Sequence, residues 1–119
     1  MKKLSVALVI SLILLLCLSA CGGKPDNISD TAYKVGIAAL ETLDEYLDKE
    51  IDYQTLTKRL DRYSEELNGH TSGNDANVGH YIVMAGYEAL EREYNTGSLA
   101  KITEYRNELA KALGEPKRK

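Results

Sequence analysis

Along most of the chain, hydrophobic residues recur among polar ones at the spacing of α-helices that bury one face. In the clearest segment, Leu56, Leu60, Tyr63 and Leu67 recur at steps of four, three and four residues. This spacing places them on one side of a helix. A preceding helix over residues 30–48 is apolar around most of its circumference, which is typical of a helix that is mostly buried.

Residue types that cap helices divide the chain into four predicted helices. Side chains able to accept a hydrogen bond from a first helical turn precede each of them: Ser29 or Asp30, Asp52, Asn74 or Asp75, and Ser98. Stop signals follow the second, third and fourth helices: Asn68-Gly69, Asn95-Thr96-Gly97, and Gly114 with Pro116. The third helix is therefore expected over about residues 76–94, after a polar loop at 68–77. Its predicted inward face consists of Val78, Tyr81 or Ile82, Ala85 and Ala89, with Leu90 beside it, and that of the fourth helix consists of Ile102, Tyr105, Leu109 and Leu113.

The fold class that this pattern predicts is all-α. β-branched residues are few and never alternate over a useful length, so no strand is expected. The four helices form two αα-hairpins that pack as a small helical bundle over residues 29–114. Residues 115–119 follow as a basic tail, which we expect to be solvated.

The two hairpins share a faint internal similarity. The segment Gly36-Ile-Ala-Ala-Leu-Glu41 matches Gly86-Tyr-Glu-Ala-Leu-Glu91. Either a duplication or the restricted composition of amphipathic helices explains this match. Glycine costs about 1 kcal/mol relative to alanine inside a helix. We therefore expect close contacts between helices at both glycines.

The first 20 residues have a different character. Lys2 and Lys3 precede an uncharged, mostly apolar run from Leu4 to Leu18. The run is long enough for a signal peptide and shorter than the ~20 residues of a membrane-spanning helix. It ends in Leu18-Ser19-Ala20-Cys21, which resembles the lipobox of bacterial lipoproteins.

The resemblance to bacterial lipoproteins covers residues 1–23 and implies export, cleavage between Ala20 and Cys21, and lipid on the Cys21 thiol. Cys17 is an internal control, because the bulky Leu16 directly precedes it and should block processing there. Two acyl chains, at about 0.8 kcal/mol per buried CH₂, are enough for stable anchoring. Residues 21–28 then form the lipidated cysteine and a short tether, whose flexible part reaches on the order of 13 Å.

Charge and cysteine content limit the partners and the cellular location expected for the domain. The chain has a net charge of −3 and becomes more acidic once Lys2 and Lys3 are removed. This balance argues against nucleic acid as a partner. Cys21 would be the only cysteine left, so the domain is expected to rely on its hydrophobic core without a disulfide. We expect the extracytoplasmic face of a cell membrane, and the Lys-rich start and short tether favour a Gram-positive cell surface.

No catalytic site, metal site or cofactor is predicted. Ser72, His70 and Asp75 lie in one loop that we expect to be too flexible to hold a catalytic triad. His70 and Asp75 lack a third fixed metal ligand. His80 and Met84 share one helix face, whereas the axial ligands of a haem usually come from opposite helices. We therefore expect a protein that is not an enzyme.

Tyrosine is the compositional oddity of this chain, which has eight Tyr and no Phe or Trp. Tyrosine combines an apolar ring with a hydroxyl that needs a polar partner, so it suits the rim of a small core. It is also enriched at binding surfaces. The candidate binding surface consists of the tyrosines on predicted helices: Tyr33, Tyr46, Tyr63, Tyr81, Tyr87, Tyr94 and Tyr105.

These features together predict a non-enzymatic protein-binding module at the outer face of the membrane, with another envelope protein as its partner. The alternative is a small-ligand-binding helical lipoprotein, with a cavity beside the alanine-rich first helix (Ala32, Ala38 and Ala39). An open apolar groove would favour protein binding. A closed pocket with converging polar groups would favour a small ligand.

Overall fold

The computed structural model describes residues 23–119, which form four α-helices and no strand. The helices are α1 (Asp30–Leu47), α2 (Tyr53–Glu66), α3 (Gly73–Glu93) and α4 (Leu99–Leu113). The predicted all-α fold is confirmed: two αα-hairpins, α1–α2 and α3–α4, pack as a small helical bundle. The predicted signal peptide and Cys21 lie outside the described residues.

Helix α1 is the central helix of the bundle. It contacts α2, α3 and α4, whereas α2 and α4 make no contact with each other in the described part of the chain. Its central place agrees with its apolar character around most of its circumference. No helix within residues 23–119 has the length and hydropathy needed to cross a membrane.

Three of the four helices begin with a predicted side-chain cap. In each, a side-chain oxygen accepts a hydrogen bond from the backbone N–H three residues later: Ser29 from Ala32 at 3.1 Å, Asp52 from Thr55 at 2.8 Å and Ser98 from Lys101 at 3.1 Å. Each cap satisfies an amide that has no partner inside its helix. Helix α4 ends as predicted at Gly114, whose φ of +73° favours glycine.

The start of α3 differs from its prediction. The helix begins at Gly73, and its N-cap residue Ser72 makes no side-chain capping bond. Asn74, which was expected as a cap, instead donates from Nδ2 to the backbone carbonyl of Ala112 at 2.6 Å. Asp75, the other expected cap, bonds to the segment that precedes α1. These tertiary partners decide the boundary, and no local sequence pattern indicates them.

The predicted helix faces form the core. Its largest fully buried aliphatic side chains come from all four helices: Leu43, Leu56, Val78, Ile82, Ile102, Leu109 and Leu113. Burying a side chain of this kind stabilises the folded state by about 1.5–3 kcal/mol relative to leaving it exposed. The helical periodicity therefore identified the residues on which the stability of the bundle mainly depends.

One charged side chain in the core was not predicted. Arg106 is only 7% exposed. It donates to both carboxylate oxygens of Asp44 on α1, from Nε at 2.8 Å and from Nη2 at 3.0 Å. Its Nη1 donates to the backbone carbonyl of Pro116 at 2.8 Å. This bidentate pair satisfies the buried guanidinium, which would otherwise be costly to desolvate.

The C-terminal tail was predicted to be solvated, and this prediction is wrong for Arg118. The backbone N–H of Arg118 donates to Asn107 Oδ1 at 2.7 Å, and Asn107 Nδ2 donates to the Arg118 carbonyl at 2.8 Å. Its guanidinium also contacts Asp44 and Asp48 of α1. The residues on either side of Arg118 are exposed. Asn107 supplies both a donor and an acceptor, so this single side chain attaches the tail to α4.

The segment before α1 also differs from the flexible tether that was expected. Lys24 Nζ forms an ion pair with Asp30 at 2.6 Å, and Ile28 is buried. Pro25 lies beside the end of α4, where a Cβ atom on Gly114 would be 3.5 Å from Pro25 Cγ. These contacts hold the segment against the end of the bundle where α1 and α3 begin and α4 ends.

The turns of the two hairpins are alike. Lys49 and Asn95, each one residue past a helix C-cap, both have a φ of +62°. In each turn, the next backbone N–H bonds back to a carbonyl of the last helical turn: Glu50 to Glu45 at 2.8 Å and Thr96 to Glu91 at 2.9 Å. These turns do not align in the register of the glycine match, so they do not decide between duplication and shared composition.

The two matched glycines have different surroundings. A Cβ atom on Gly36 would lie 2.5 Å from Leu113 Cδ2 and 3.2 Å from Val78 Cγ1. A Cβ atom on Gly86 would lie 3.7 Å from Leu60 Cδ1, which is ordinary van der Waals contact. The prediction of a close helix contact is therefore confirmed at Gly36 and wrong at Gly86.

We predict different effects of alanine at these two positions. Gly36→Ala should lower the free energy of unfolding by roughly 1–2 kcal/mol, because overpacking the core outweighs the gain in helix propensity. Gly86→Ala should leave it unchanged or raise it by up to about 1 kcal/mol. Urea unfolding of the two variants measures both effects, and equal effects would contradict the close contact at Gly36.

Candidate functional site

All large hydrophobic side chains that are exposed within residues 23–119 lie along α3 and its C-cap. They are Val83 at 42%, Tyr87 at 61%, Leu90 at 39% and Tyr94 at 73% exposure. Their spacing of four, three and four residues places them on one face of the helix, and we call this row the α3 stripe. Single exposed apolar residues are normal on a protein surface, whereas large contiguous apolar patches are typical of interaction sites, which makes the α3 stripe the candidate site.

The α3 stripe borders an open groove between α2 and α3 with a volume of about 470 Å³. On the α3 side the groove is lined by Val83, Tyr87 and Leu90. On the α2 side it is lined by Tyr53, Thr57, Asp61 and Ser64. The buried side chains of Leu60 and Ile82 also line the groove, so its surface continues into the core. An open groove of this kind is suited to an elongated partner rather than to an enclosed small molecule.

The rim of the groove is acidic. Asp61 lines the groove directly, and Glu91 stands one helical turn after Tyr87. Burial raises the pKa of the Tyr53 phenol, and the negative charges of Glu93 and Asp61 raise this pKa further. The two carboxylates therefore act on the end of the groove where Tyr53 lies.

The arginines of α2 and α3 are engaged with other side chains of the bundle, and Arg92 lines a neighbouring pocket with Tyr53 and Glu93. Arg59 donates to Glu45 at 3.2 Å, Arg92 donates to the Tyr46 hydroxyl at 2.9 Å, and Arg62 lies 5.4 Å from the centre of the Tyr63 ring. Lys58 is exposed one turn before Asp61 and forms no ion pair with it. Across residues 23–119, Asp61, Glu91 and Glu93 take part in no ion pair. The groove therefore carries unpaired negative charge along an apolar wall.

The seven candidate tyrosines do not form one surface. Tyr46 and Tyr63 are buried, and the Tyr63 hydroxyl forms a hydrogen bond of 3.2 Å with Thr42. Tyr33, Tyr81 and Tyr105 are half-buried and pack against the core. Tyr87 and Tyr94 are exposed and belong to the α3 stripe. Five of the seven tyrosines thus serve the core or its rim, and two contribute to the candidate surface.

Sequence reasoning missed Val83 and treated Leu90 as a neighbour of the core face. The apolar residues of α3 fill two faces of the helix. The core face consists of Val78, Ile82, Ala85 and Ala89, all of them buried. The second face repeats the same spacing of four, three and four residues five positions later, and this second periodicity is the signal that could have identified the stripe. Composition drew attention to tyrosine, although position along the helix decides which tyrosines are exposed.

A second groove lies between α1, α4 and the C-terminal tail, with a volume of about 620 Å³. It is lined by Tyr33, Ile37 and Leu40 and by the paired side chains of Asp44 and Arg106. Every guanidinium nitrogen of Arg106 already donates a hydrogen bond within the protein. Asp44 and Arg106 thus satisfy each other, while the other charged side chains that line this groove are Lys34, Glu41 and Glu115.

The loop residues considered for catalysis are held more firmly than expected, but not as a triad. His70 Nδ1 lies 3.1 Å from Asp75 Oδ2 and 3.4 Å from Ser29 Oγ. Both oxygens face the same ring nitrogen, whereas a triad needs its nucleophile and its carboxylate on different ring nitrogens. Ser72 is exposed and takes no part. Because Ser29 also donates its N–H to Asp75 Oδ1 at 2.8 Å, the cluster joins the start of α1 to the start of α3.

The residues considered for metal or haem binding are also placed apart from any ligand set. His80 is exposed, and its ring meets the Tyr81 ring edge-on with centroids 5.1 Å apart. Met84 is half-buried on the same helix. Within residues 23–119, no group of three His, Cys, Asp or Glu side chains is placed to hold a metal ion.

The Asp75 cluster predicts a pH-dependent contribution to stability. Burial alone would raise the pKa of Asp75, but hydrogen bonds from Ser29 and His70 outweigh burial and hold the pKa below 3.8. A carboxyl group with a depressed folded-state pKa stabilises the fold above its unfolded pKa. That contribution is lost as the pH falls through the lower folded-state pKa.

Asp75→Asn should therefore lower the free energy of unfolding at neutral pH by about 1–3 kcal/mol. The deficit relative to the wild type should shrink as the pH falls below 3.8. Urea unfolding at a series of pH values measures the deficit. Asp26→Asn, at an exposed position beside the same end of the bundle, is the control and should have little effect. If Asp75→Asn lowered the free energy of unfolding equally at every pH, the conclusion that an ionised Asp75 stabilises the fold would be contradicted.

Comparison with known proteins finds no match of this chain to a protein-family model, a curated protein or a solved structure. The functional argument therefore rests on the residues of the α3 stripe and its groove.

Proposed function

We propose that this protein is a bacterial lipoprotein whose helical bundle binds another envelope protein through the α3 stripe. The observation that carries the proposal is the row of four exposed apolar side chains beside an open groove. Protein interfaces have an apolar centre, and tyrosine is prominent among the residues that contribute most to binding. Tyr87, near the middle of the row, suits that central role.

The anchoring part of the proposal is supported by the sequence of residues 1–23. A cationic start, an apolar run and Leu18-Ser19-Ala20-Cys21 occur in the order that lipoprotein processing requires. Lys24 and Pro25 contact the end of the bundle where α1 and α3 begin. With lipid on Cys21, only a few residues separate that end from the membrane.

The α3 stripe lies away from the end that would be anchored. Helix α3 begins at Gly73, beside that end, and the stripe runs from Val83 to Tyr94. At 1.5 Å per residue, the stripe begins about 15 Å and ends about 31 Å from the helix start. An anchored bundle would thus present the stripe outward, where a second envelope protein can reach it.

The alternative of small-ligand binding has weaker support. A cavity was expected beside Ala32, Ala38 and Ala39, yet Ala32 and Ala39 are fully buried in the packed core. The groove between α1 and α4 remains the best location for a small molecule. Its charged side chains Asp44 and Arg106 are already paired.

Lipidation is tested by replacing each cysteine separately. Cys21→Ser should shift the protein from the membrane fraction to the soluble fraction, because the acylated thiol is removed. Cys17→Ser should leave the protein anchored, since Leu16 before it is too bulky for processing. Cell fractionation and mass spectrometry of the mature N-terminus measure both results. Membrane retention of Cys21→Ser at the wild-type level would contradict lipid anchoring at this residue.

The binding surface is tested by a double substitution in the α3 stripe. Tyr87→Ser with Leu90→Ser should reduce the amount of crosslinked partner recovered from native membranes by about tenfold or more, because the centre of the apolar row is lost. Both positions are exposed, so the free energy of unfolding should change by no more than about 1 kcal/mol for the two substitutions together. Crosslinking followed by affinity purification of the lipidated protein measures recovery.

Ala100→Ser with Lys111→Ser is the matched control, since both residues are exposed on α4 away from the groove. The control variant should recover as much partner as the wild type. Equal recovery with the stripe variant would reject the stripe as the binding surface. Absence of a partner with every form would favour the small-ligand alternative, which native mass spectrometry then examines.

A further inference from the structure

The shape of the groove suits a helix. Its two walls are the flanks of adjacent helices, so its lining residues recur at helical spacing on both sides. Thr57 and Asp61 on α2 face the groove one turn apart, as do Val83 and Tyr87 on α3. The stripe extends about 16 Å along the helix axis, which corresponds to about three turns of a partner helix. Side chains of a third helix pack into such a groove as they do inside a bundle.

The charge of the groove constrains the polar side of that helix. Asp61 and Glu93 lie toward α2, and Glu91 lies on the opposite side of the stripe by its helical position. None of the three carboxylates is paired within residues 23–119. Lysine or arginine on both sides of an apolar face would meet these carboxylates, whereas glutamate there would be repelled.

Two other occupants fit these charges less well. A second copy of this chain, bound symmetrically, would bring its own Asp61, Glu91 and Glu93 against the same acidic rim. An anionic membrane surface would be repelled by the rim. The stripe also lies on the part of α3 remote from the segment of Lys24 and Pro25, which leads to the proposed anchor.

We infer that the α3 groove receives an amphipathic helix of a partner protein, with an apolar face that is flanked on both sides by lysine or arginine. The apolar face covers Val83, Tyr87 and Leu90, and the basic flanks pair with Asp61, Glu91 and Glu93. This inference rests on the proposed protein-binding function and specifies the chemistry of its partner.

The test uses the full, lipidated protein in nanodiscs of neutral phosphatidylcholine and three fluorescent synthetic peptides. The first peptide is helical, with a leucine face and lysine flanks. The second has the same leucine face with glutamate flanks. The third has the composition of the first in scrambled order, so that it has charge but no apolar face. Fluorescence anisotropy measures the Kd of each peptide at low and high salt.

The lysine-flanked peptide should bind about tenfold more tightly than either other peptide at low salt. This advantage should shrink at high salt, because exposed charges are screened. Asp61→Lys with Glu93→Lys should reverse the preference between the lysine and glutamate peptides. Tyr87→Ser with Leu90→Ser should abolish binding of both. Asp26→Lys, remote from the groove, is the charge control and should preserve the wild-type preference.

Equal binding of the lysine and glutamate peptides, lost in the stripe variant, would overturn the basic-flank inference and leave the proposed binding function intact. Binding of the scrambled peptide as tightly as the first would overturn the helical inference. Failure of all three peptides would overturn the inference as a whole. The proposed protein-binding function is tested separately by the crosslinking experiment in native membranes.

Two further outcomes would identify another occupant. Self-association of the Cys21→Ser protein in analytical ultracentrifugation, lost on adding Tyr87→Ser and Leu90→Ser, would replace the partner helix with a second copy. Binding of Cys21→Ser to vesicles containing anionic lipid, lost with the same substitutions, would replace it with the membrane. The inference predicts that the Cys21→Ser protein is a monomer and does not bind such vesicles.

Discussion

The close packing of α1 at Gly36 is the contact on which the rest of the bundle depends. Without a side chain at this position, Leu113 of α4 and Val78 of α3 both approach the α1 backbone. Helix α1 thereby contacts all three other helices and buries most of its apolar circumference. The stripe on α3 faces away from this centre, and no element within residues 23–119 covers it. A satisfied core beside an uncovered apolar row favours the proposed binding surface over incomplete packing.

Polar contacts join the chain segments at the end of the bundle where α1 and α3 begin. Asp75 accepts the Ser29 N–H and contacts His70, while Asn74 bonds to the end of α4 at Ala112. These bonds fix the segment that leads from the proposed lipid anchor into α1. The proposed anchoring at this end and the proposed binding along the distal part of α3 are therefore compatible in one bundle. Neither function requires a catalytic group, and the paired state of Arg106 and Asp44 agrees with a structural role for the main buried charges.

Much of the fold could be predicted from the sequence, because helical periodicity and capping are local properties. Ser29, Asp52 and Ser98 cap the helices as expected, and the inward faces of α2 and α4 were largely identified. The errors arise where a partner distant in the chain decides the outcome. Asn74 and Asp75 have the chemistry of caps but bond to other segments.

The same limit applied to the tail and to the candidate site. The local sequence around Asn107 does not indicate that its side chain bonds to the backbone of Arg118. Tyrosine content alone did not separate the buried Tyr46 and Tyr63 from the exposed Tyr87. The sequence carries two apolar faces on α3, and the positions of the neighbouring helices decide which of the two remains uncovered. Composition therefore indicated the type of residue at the site, and the tertiary arrangement selected the members.

The most direct test of the α3 stripe as the binding surface is site-specific photo-crosslinking in native membranes. A photoreactive phenylalanine analogue would replace Tyr87 in one strain and the exposed Lys111 on α4 in another. The α3 stripe predicts that position 87 alone crosslinks one envelope protein, with the crosslinked peptide falling in a helix flanked by lysine and arginine. Equal crosslinking from both positions, or crosslinking from position 111 alone, would contradict the assignment of the α3 stripe as the binding surface.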